Sequence, residues 1–409
     1  MSERPTLLFV SPRYLLPADS GGKIRTRDVL MGLKGGRFAV VLACPATPAK
    51  LAADRAALDT LCDRLVTWPE PQRHRLFPLT RMRHLVSPLP IPVATDRWPP
   101  AVPVIAAELA RRPEVVVVDF PHAGLLVPQF HDVPAVLFTH NVEAEIFRRH
   151  AEVAPTPLRA FWRGQARKME RFERGELARY DAVVAVAERD RAFFESRFGV
   201  THAAVIPTGV NLALHEFALP AASPEPQVVF SGSMDWLANI DAIEFFLAEI
   251  WPRVAAVRPQ ARFTVIGRNP PARLVEAARR SGHRWTFTGF VDDVRPYIRA
   301  AQACVIPLRV AGGTRLKVFE AMAMGCPVVS TAIGVEGLPL APGRHYELAD
   351  APEAFAAALL RLLKQPERGR ELAVAARSHV EQHASHLAVA RVFEEICARA
   401  AAPASRSGR

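Results

Sequence analysis

The chain has 409 residues, and 50% of them are hydrophobic, which is enough apolar material for two domains of ordinary size and excludes general disorder. The formal net charge of +11 favours anionic partners, such as nucleotide phosphates, nucleic acid or an anionic membrane. Because the sequence has no known nucleic-acid motif and no basic surface interleaved with aromatic residues, nucleic-acid binding is not predicted.

The first half of the chain alternates short apolar runs with longer helical patterns. This alternation, with the four consecutive valines at 115–118, is typical of buried parallel strands joined by helices. Strands are predicted over residues 5–10, 38–44, 64–68, 114–119, 134–139, 181–186 and 203–207, and helices over 23–33, 50–63, 102–111 and 188–198, with a helix or helix pair between 143 and 179.

A proline-rich segment interrupts this alternation between Pro69 and Pro103. Residues 72–90 mix basic and apolar side chains, which fits either an irregular excursion at the domain edge or a surface that touches an anionic membrane. The prolines weaken any regular amphipathic helix here. Contact of residues 72–90 with an anionic membrane is therefore one of two interpretations.

A second alternating set begins at Val228, after a linker-like stretch at 207–211. The two sets predict an α/β protein with two doubly wound parallel sheets, an N-terminal domain at 1–207 and a C-terminal domain at 208–384. A last helix over 385–400 and a flexible tail over 401–409 follow. Strands are predicted over 228–230, 262–266, 285–288, 303–308 and from 327, and helices over 239–257, 271–281, 294–301, 315–324, 352–364 and 368–383.

The five cysteines are scattered and lie mostly within apolar runs, which favours reduced thiols in a cytoplasmic protein over a disulfide framework. The first apolar run is too short for a signal peptide, and none reaches the ~18 residues of a membrane span. We therefore expect a cytoplasmic protein, with peripheral contact to the inner face of the membrane as the alternative raised by residues 72–90.

Two glycine pairs follow predicted strands and open helices. Gly21-Gly22 precede a helix near Lys23, and Gly312-Gly313 precede one for which Thr314 is the expected N-cap. Free N–H groups at such a helix start bind anions.

Charged side chains make the second of these turns unusual. Arg315 and Lys317 lie in the first helical turn, where the macrodipole disfavours cations, so a diphosphate is the expected ligand. Glu320 could face the same crevice and bind ribose hydroxyls. An ordinary turn with solvated basic residues is the alternative.

No metal or cofactor is predicted. Asp292-Asp293 precede a helix and are interpreted as N-cap residues, and the histidines lack partners at zinc-ligand spacing. Trp236 and Trp251 are interpreted as core residues rather than platforms for a sugar.

The second half carries the sequences GGTRLKVFEAMAMGCPVVST, GSMDWLANIDAIEFF, TVIGRNP, FTGFVDDVRPYI and VIPTGVN. With these it resembles the retaining glycosyltransferases of family 4 (the group 1 glycosyl transferases), and the first half resembles them more loosely. The resemblance implies the GT-B architecture, in which two Rossmann-like domains face a central cleft. It also implies a nucleotide-sugar donor held by the C-terminal domain, an acceptor held by the N-terminal domain, metal-independent transfer with retention, and a last helix that crosses back to the N-terminal domain.

The resemblance also implies roles for individual residues. Glu320 matches the second glutamate of the family's Glu-x7-Glu pattern and should contact the donor ribose. Gly21-Gly22 match a loop near the donor phosphates, and Phe290-Val291 match a turn beside the base. His140 matches a strand-end position near the acceptor or the donor sugar. Arg268 either lines the base pocket or belongs to a turn.

The sequence departs from the family pattern at two places. Gly312 stands where the first glutamate of Glu-x7-Glu is expected, and the turn that begins at Gly232 lacks the family's basic pair. Arg315 and Lys317 could replace that pair, assisted by the amides of Gly312, Gly313 and Thr314. An active variant branch and an inactive relative would both explain the changes.

The expected function is transfer of a sugar from a nucleoside-diphosphate sugar to a glycan, lipid-linked or small-molecule acceptor, in cell-surface polysaccharide or glycoconjugate biosynthesis. A nucleotide-sugar epimerase of the same architecture and a non-catalytic nucleotide- or glycan-binding relative are the alternatives.

Overall fold

The computed structural model describes residues 4–71, 81–127, 130, 133–153, 156–207, 209–310 and 315–402. The chain divides into two compact units. The first unit contains residues 1–207 together with 389–409, and the second contains residues 208–388.

A parallel sheet of seven strands forms the centre of the first unit, in the order β3-β2-β1-β4-β5-β6-β7. The central strand β4 is buried along its whole length because apolar clusters cover both faces of the sheet. Such burial explains why its sequence is a continuous apolar run rather than an alternating one. The strands are β1 (Thr6–Val10), β2 (Ala39–Pro45), β3 (Arg64–Trp68), β4 (Val115–Asp119), β5 (Ala135–Phe138), β6 (Ala182–Ala185) and β7 (Ala203–Val205).

Helices of the first unit follow most of these strands and supply the apolar residues that cover the sheet. They are α1 (Gly21–Leu33), α2 (Pro48–Ala53), α3 (Arg55–Leu58), α4 (Ile91–Asp96), α5 (Ala101–Leu109), α6 (Glu143–Val153), α7 (Thr156–Leu177) and α8 (Glu188–Phe193), with 3-10 turns at Arg83–Val86 and Pro121–Leu126 and a π-helical turn at Phe194–Phe198.

The second unit repeats the design with a parallel sheet of six strands in the order β10-β9-β8-β11-β12-β13. Apolar clusters again cover both faces. The strands are β8 (Gln227–Ser231), β9 (Arg262–Ile266), β10 (Trp285–Phe287), β11 (Ala303–Ile306), β12 (Val328–Ser330) and β13 (Glu347–Leu348).

Helices also connect the strands of the second unit. They are α9 (Leu237–Phe245), α10 (Trp251–Val257), α11 (Ala272–Arg280), α12 (Arg295–Arg299), α13 (Leu316–Ala323), α14 (Pro352–Lys364) and α15 (Pro366–His379), with 3-10 turns at Leu212–Leu214 and Ile333–Val335 and π-helical turns at Phe246–Ile250 and Val380–Ala384.

The last helix, α16 (His386–Ala401), packs largely into the core of the first unit. The rings of Phe393 and Phe138 lie 5.1 Å apart, and Ile396 and Cys397 join the same apolar cluster. The backbone N–H of Arg37 donates to Glu394 Oε1 at 2.6 Å, which ties the helix to the loop before β2.

Two parallel-sheet domains confirm the predicted fold class. The helix predicted over 50–63 is instead two short helices, because the chain turns at Asp54. Within the described residues, no helix is both long and apolar enough to span a membrane.

Candidate active site

A glycine follows each of β8, β9 and β10 within two residues of the strand's carboxyl end: Gly232, Gly267 and Gly289. A Cβ atom on Gly267 would overlap the carbonyl oxygen of Gly232, and Gly267 forms a backbone bridge with Gly289. A side chain is therefore excluded at Gly267, where the turn after β9 approaches the turn after β8. In parallel α/β sheets this edge is where ligands bind.

Lys317, in the first turn of α13, places a positive charge beside these glycine turns. Its Nζ donates to Asn239 Oδ1 at 2.9 Å and lies 4.3 Å from the centre of the Phe230 ring. A Cβ atom on Gly232 would lie 2.7 Å from the same Nζ. The ammonium group thus occupies the turn that lacks a basic residue of its own.

Burial lowers the pKa of Lys317 to about 8, because a low-dielectric environment disfavours the ammonium form. The nearby carboxylate of Glu320 opposes this shift, and the charge of Arg315 adds to it. Glu320 therefore lies within electrostatic range of Lys317. A buried ammonium group with a lowered pKa is suited to receive an anion.

Asn239 is a site residue that the sequence interpretation missed. It lies in the first turn of α9 and is 7% exposed. Its Nδ2 donates to the carbonyl of Ser233 at 2.7 Å while its Oδ1 accepts from Lys317, so it fixes the turn and the ammonium group together. No pattern in the sequence of α9 singled it out, because the helix also contains Asp241 and Glu244.

Arg315 has a different position from Lys317. It is the N-cap of α13 with a left-handed φ of 49°. Its Nη2 donates to the carbonyl of Ile333 and to Glu336 Oε2, both at 3.2 Å, so the guanidinium group ties the helix start to the loop after β12. Gly312, Gly313 and Thr314, predicted to bind the diphosphate with it, lie outside the described residues.

Exposed side chains border the glycine turns. Arg268 donates to Asp235 Oδ2 at 2.8 Å, which holds it beside the turn at Gly232. Phe290 is 72% exposed, whereas Val291 packs partly against the core. Trp236 is 55% exposed, so its interpretation as a core residue was wrong: the chain leaves the sheet here before α9 begins.

The other predicted core tryptophan, Trp251, is fully buried, which confirms its interpretation.

In the first unit, His140 forms a buried pair with Asp119. The His140 Nε2–H donates to Asp119 Oδ1 at 2.6 Å, and the same carboxylate accepts from Ser11 Oγ at 3.0 Å and from Thr26 Oγ1 at 3.1 Å. These residues come from the ends of β1, β4 and β5 and from α1. Asp119 was not predicted, although a carboxylate that ends a run of four valines was a usable signal.

This pairing leaves His140 Nδ1 as the unprotonated nitrogen of a neutral imidazole. Among the described residues, Nδ1 is buried and has no hydrogen-bond partner. Burial lowers the pKa of His140 more than the Asp119 carboxylate raises it, so the ring stays neutral near pH 7. Such a nitrogen can accept a hydrogen bond from a hydroxyl group of a ligand.

Phe120 and Gly22 pack around this histidine. The Phe120 ring stacks on His140 with the ring centres 4.0 Å apart, and its backbone has a φ of 68°, which is strained for a phenylalanine. A Cβ atom on Gly22 would lie 2.7 Å from the Phe120 ring and 3.7 Å from His140 Nδ1. A Cβ atom on Gly21 would meet nothing within 4 Å. Only Gly22 is thus required by local packing.

Arg25, also in α1, is fully buried and holds strand ends together through hydrogen bonds. Its guanidinium group donates to the carbonyls of Thr139 at 2.5 Å, Ile206 at 3.0 Å and Ala185 at 3.4 Å. Burial lowers its pKa to about 9. It therefore joins the ends of three strands and positions the residue before His140.

A cavity of about 310 Å³ opens next to this cluster within the first unit. Phe120 and His122 contribute to its wall from the segment after β4, and Asn141 and Glu143 from the segment after β5. Across the described part of the chain, no three His, Cys, Asp or Glu side chains are grouped so that they could hold a metal ion.

Comparison with protein families gives matches in both units. The model for Glycosyltransferase Family 4 matches residues 20–214, and the model for Glycosyl transferases group 1 matches residues 225–365. A comparison with curated proteins gives no match.

Solved structures share the fold over nearly the whole chain. Sucrose-phosphate synthase from Thermosynechococcus elongatus is 20% identical, with a TM-score of 0.65 over 97% of this chain and 99% of that one. HepE from Anabaena, in complex with UDP, is 15% identical with a TM-score of 0.65 over 96% and 100%. A mutant of TarM from S. aureus, in complex with Fondaparinux, alpha-GlcNAc-glycerol and UDP, is 11% identical with a TM-score of 0.66 over 96% and 99%.

The two parallel sheets and these neighbours define the class of protein as GT-B. The two family models, which match residues 20–214 and 225–365, support a glycosyltransferase of the family 4-like type.

Proposed function

We propose that this protein transfers a sugar from a nucleoside-diphosphate sugar to an acceptor hydroxyl with retention of the anomeric configuration, in the biosynthesis of a cell-surface polysaccharide or glycoconjugate. The observation that supports this most strongly is the Lys317 ammonium group at the Gly232 turn. A cation beside a glycine turn can stabilise the negative charge that develops on a leaving diphosphate.

The second unit holds the donor in this proposal. Lys317 binds the diphosphate, Glu320 the ribose, and the turns at Arg268 and Phe290-Val291 the base. Gly312, Gly313, Thr314 and Arg315 remain proposed contributors to the diphosphate site. Asn239 acts as a positioning residue, because its hydrogen bonds hold both Lys317 and the turn after β8.

The first unit contributes His140, the loop at Gly21-Gly22 and the acceptor site. The bond between the anomeric carbon and the diphosphate oxygen breaks, and the acceptor oxygen bonds to that carbon on the same face. An oxygen of the leaving diphosphate takes the acceptor proton, and His140 Nδ1 orients a sugar hydroxyl by accepting its hydrogen bond. The Asp119 carboxylate keeps His140 in the tautomer that this task needs.

Peripheral membrane contact is a second part of the proposal. Residues 72–80 lie outside the described residues, but the adjoining 3-10 turn at Arg83–Val86 is described. Met82 and Val86 are 58% and 92% exposed, and Lys168 of α7 donates to the carbonyls of Leu85 and Ser87. Apolar side chains on a basic surface suit an anionic membrane that carries a lipid-linked acceptor.

Activity of purified protein with a panel of UDP-, GDP- and ADP-sugars tests the proposed chemistry. We expect Lys317→Ala and Glu320→Ala each to reduce donor turnover at least ~100-fold, the scale of losing one charge-stabilising group. Lys364→Ala, at an exposed lysine of α14, is the matched control and should leave turnover unchanged. Near-normal turnover in both site variants would overturn the site assignment.

Product analysis by NMR separates transfer with retention from inversion and from epimerisation of the donor. Turnover should be unchanged by EDTA, because the proposed diphosphate site uses Lys317 in place of a metal ion. A nucleotide that binds without turnover with any acceptor would instead favour a binding protein.

A further inference from the structure

The cavity in the first unit has two walls of different chemistry. Its apolar wall comes from three helices that pack together, α4, α6 and α7. Val93, Phe147 and Met169 are buried in a small apolar cluster of their own, and Ile146 and Phe172 are only partly buried at the cavity. This wall therefore offers a preformed apolar surface rather than one that must be ordered on binding.

The rest of the cavity lining is polar. It includes His122 and Asn141, which follow β4 and β5, and Asp96 at the end of α4. His122 Nε2 is buried without a hydrogen-bond partner among the described residues, and it lies 3.8 Å from Asp96 Oδ2, which is too far for a direct hydrogen bond. A ligand hydroxyl would satisfy this nitrogen. Burial lowers the pKa of His122 to about 3, so the ring is neutral.

The charges around the cavity disfavour an anionic ligand. Two carboxyl groups, of Asp96 and Glu143, face a single guanidinium group, of Arg13. Burial raises the pKa of the Glu143 carboxyl, and Asn141 and Arg13 oppose that shift. The Arg13 guanidinium also lies over the Phe120 ring, 5.1 Å from its centre. The lining therefore offers no net positive charge to a phosphate or carboxylate, whether or not Glu143 is ionised.

We propose that this cavity binds the acceptor, and that the acceptor is an uncharged glycoside whose aglycone is apolar. Sugar hydroxyls bond to His122, Asn141 and Asp96, and the aglycone lies against the wall that contains Ile146 and Phe172. The Phe120 ring joins the cavity to the proposed transfer site, because it stacks on His140 and lies 5.3 Å from His122. The inference rests on the proposed function and deepens it by naming the acceptor class.

Direct binding without donor tests the inference independently of turnover. The probes are the benzyl and methyl glycosides of glucose, galactose, mannose and N-acetylglucosamine, with glucose 6-phosphate as the anionic comparison, in titration calorimetry on the full chain. For at least one sugar, we expect the benzyl glycoside to bind at least ~10-fold more tightly than the methyl glycoside, because the ring is removed from water. Equal affinities for the benzyl and methyl glycosides of every sugar, or tighter binding of glucose 6-phosphate than of methyl glucoside, would overturn the inference.

Variants locate the binding. Ile146→Ala should weaken binding of the benzyl glycoside several-fold and leave the methyl glycoside unchanged, whereas His122→Asn should weaken both. Val374→Ala, at an exposed apolar residue of the second unit, is the control and should change neither. Benzyl-glycoside binding that Ile146→Ala does not alter would place the ligand elsewhere and contradict the inference.

The inference and the proposed function fail in different ways. Donor hydrolysis that depends on Lys317, combined with equal affinity for benzyl and methyl glycosides, would retain the transferase and reject this acceptor class. Glycoside binding at Ile146 with no binding or turnover of any nucleotide sugar would reject the transferase and retain the glycoside site. A further assay compares the rates of transfer to two acceptors with the same sugar: a long-chain alkyl glycoside in vesicles and the soluble benzyl glycoside. The faster rate shows whether the acceptor is a lipid or a soluble glycoside.

Discussion

Burial of the Lys317 ammonium group lowers the stability of the free protein but places a positive charge where a ligand can bind. Its pKa is lowered from 10.5 to about 8 in the folded state, so between these values the unfolded chain binds more protons than the folded one. The stability contribution of this group therefore rises as the pH increases from about 8 towards 10.5, and the cost of burying the ammonium is fully present below about 8. A bound diphosphate would offset that cost.

The same pKa predicts the pH dependence of donor binding. Affinity for a nucleoside diphosphate should be constant from about pH 7 up to about 8 and then fall, by up to tenfold per pH unit, as Lys317 loses its proton. Titration calorimetry with UDP, GDP and ADP measures this directly. Lys317→Ala should bind weakly with no such fall, and an identical pH profile in the variant would assign the titration to another group.

Asp119 is expected to act through His140 rather than on the substrate. Asp119→Asn can donate to His140 Nε2 and so favour the tautomer with the proton on Nδ1, the nitrogen proposed to accept from a sugar hydroxyl. We expect kcat to fall at least ~10-fold, while the Kd of the nucleoside diphosphate stays unchanged.

Asp59→Asn, at an exposed carboxylate after α3, is the matched control for this substitution. Equal losses of kcat and nucleotide affinity in Asp119→Asn, together with a lower Tm, would show that Asp119 only maintains the fold.

At the scale of elements, the start of α1 offers two neighbouring glycines with different surroundings. Gly22→Ala should lower the free energy of unfolding by about 1–3 kcal/mol, because the new Cβ would overlap the Phe120 ring that stacks on His140. Gly21→Ala places its Cβ in open space and should keep the stability within about 0.5 kcal/mol.

Urea unfolding of the two variants checks this contrast, with kcat as a second measurement. Loss of kcat is expected for Gly22→Ala, since the displaced Phe120 ring would move His140. A stable Gly22→Ala protein would show that the ring can move aside freely.

Most strands could be predicted from the sequence, and the reason is physical. Buried parallel strands are continuous apolar runs, so β4 and β9 were located within a residue of their observed ends. Helix starts were harder, because capping depends on local backbone geometry. The predicted N-cap Thr314 lies outside the described residues, and α13 begins after Arg315, whose left-handed φ no pattern of residue types indicates.

The candidate site could be predicted only in outline. His140 and Lys317 were identified because each follows a predicted strand or glycine turn. Their partners Asp119 and Asn239 lie within hydrogen-bond distance because of the order of the strands and the length of the side chains. Hydrophobic periodicity predicts neither of these. The reach of Lys317 to the Gly232 turn depends on β11 lying next to β8, a non-consecutive pairing.

At the scale of the whole molecule, the alternating pattern predicted two parallel sheets, but it did not predict the order of the strands. In both units the first strand lies inside the sheet, and the chain crosses once from one side of that strand to the other. This reversal creates the edge at which carboxyl ends of neighbouring strands can face a ligand. The glycine turns after β8 and β9, and the His140 cluster after β1, β4 and β5, all lie at such edges.

The net charge of +11 makes the proposed membrane contact testable. Because basic residues are attracted to anionic lipid and Val86 is 92% exposed beside them, the protein should co-sediment with vesicles containing phosphatidylglycerol and not with pure phosphatidylcholine. Salt at ~0.5 M should weaken this binding by screening. Val86→Asp should reduce it several-fold, whereas Val374→Asp, at an exposed position of the second unit, should not. Equal binding of both variants would show that charge alone attracts the protein and that the turn at Arg83–Val86 does not enter the lipid.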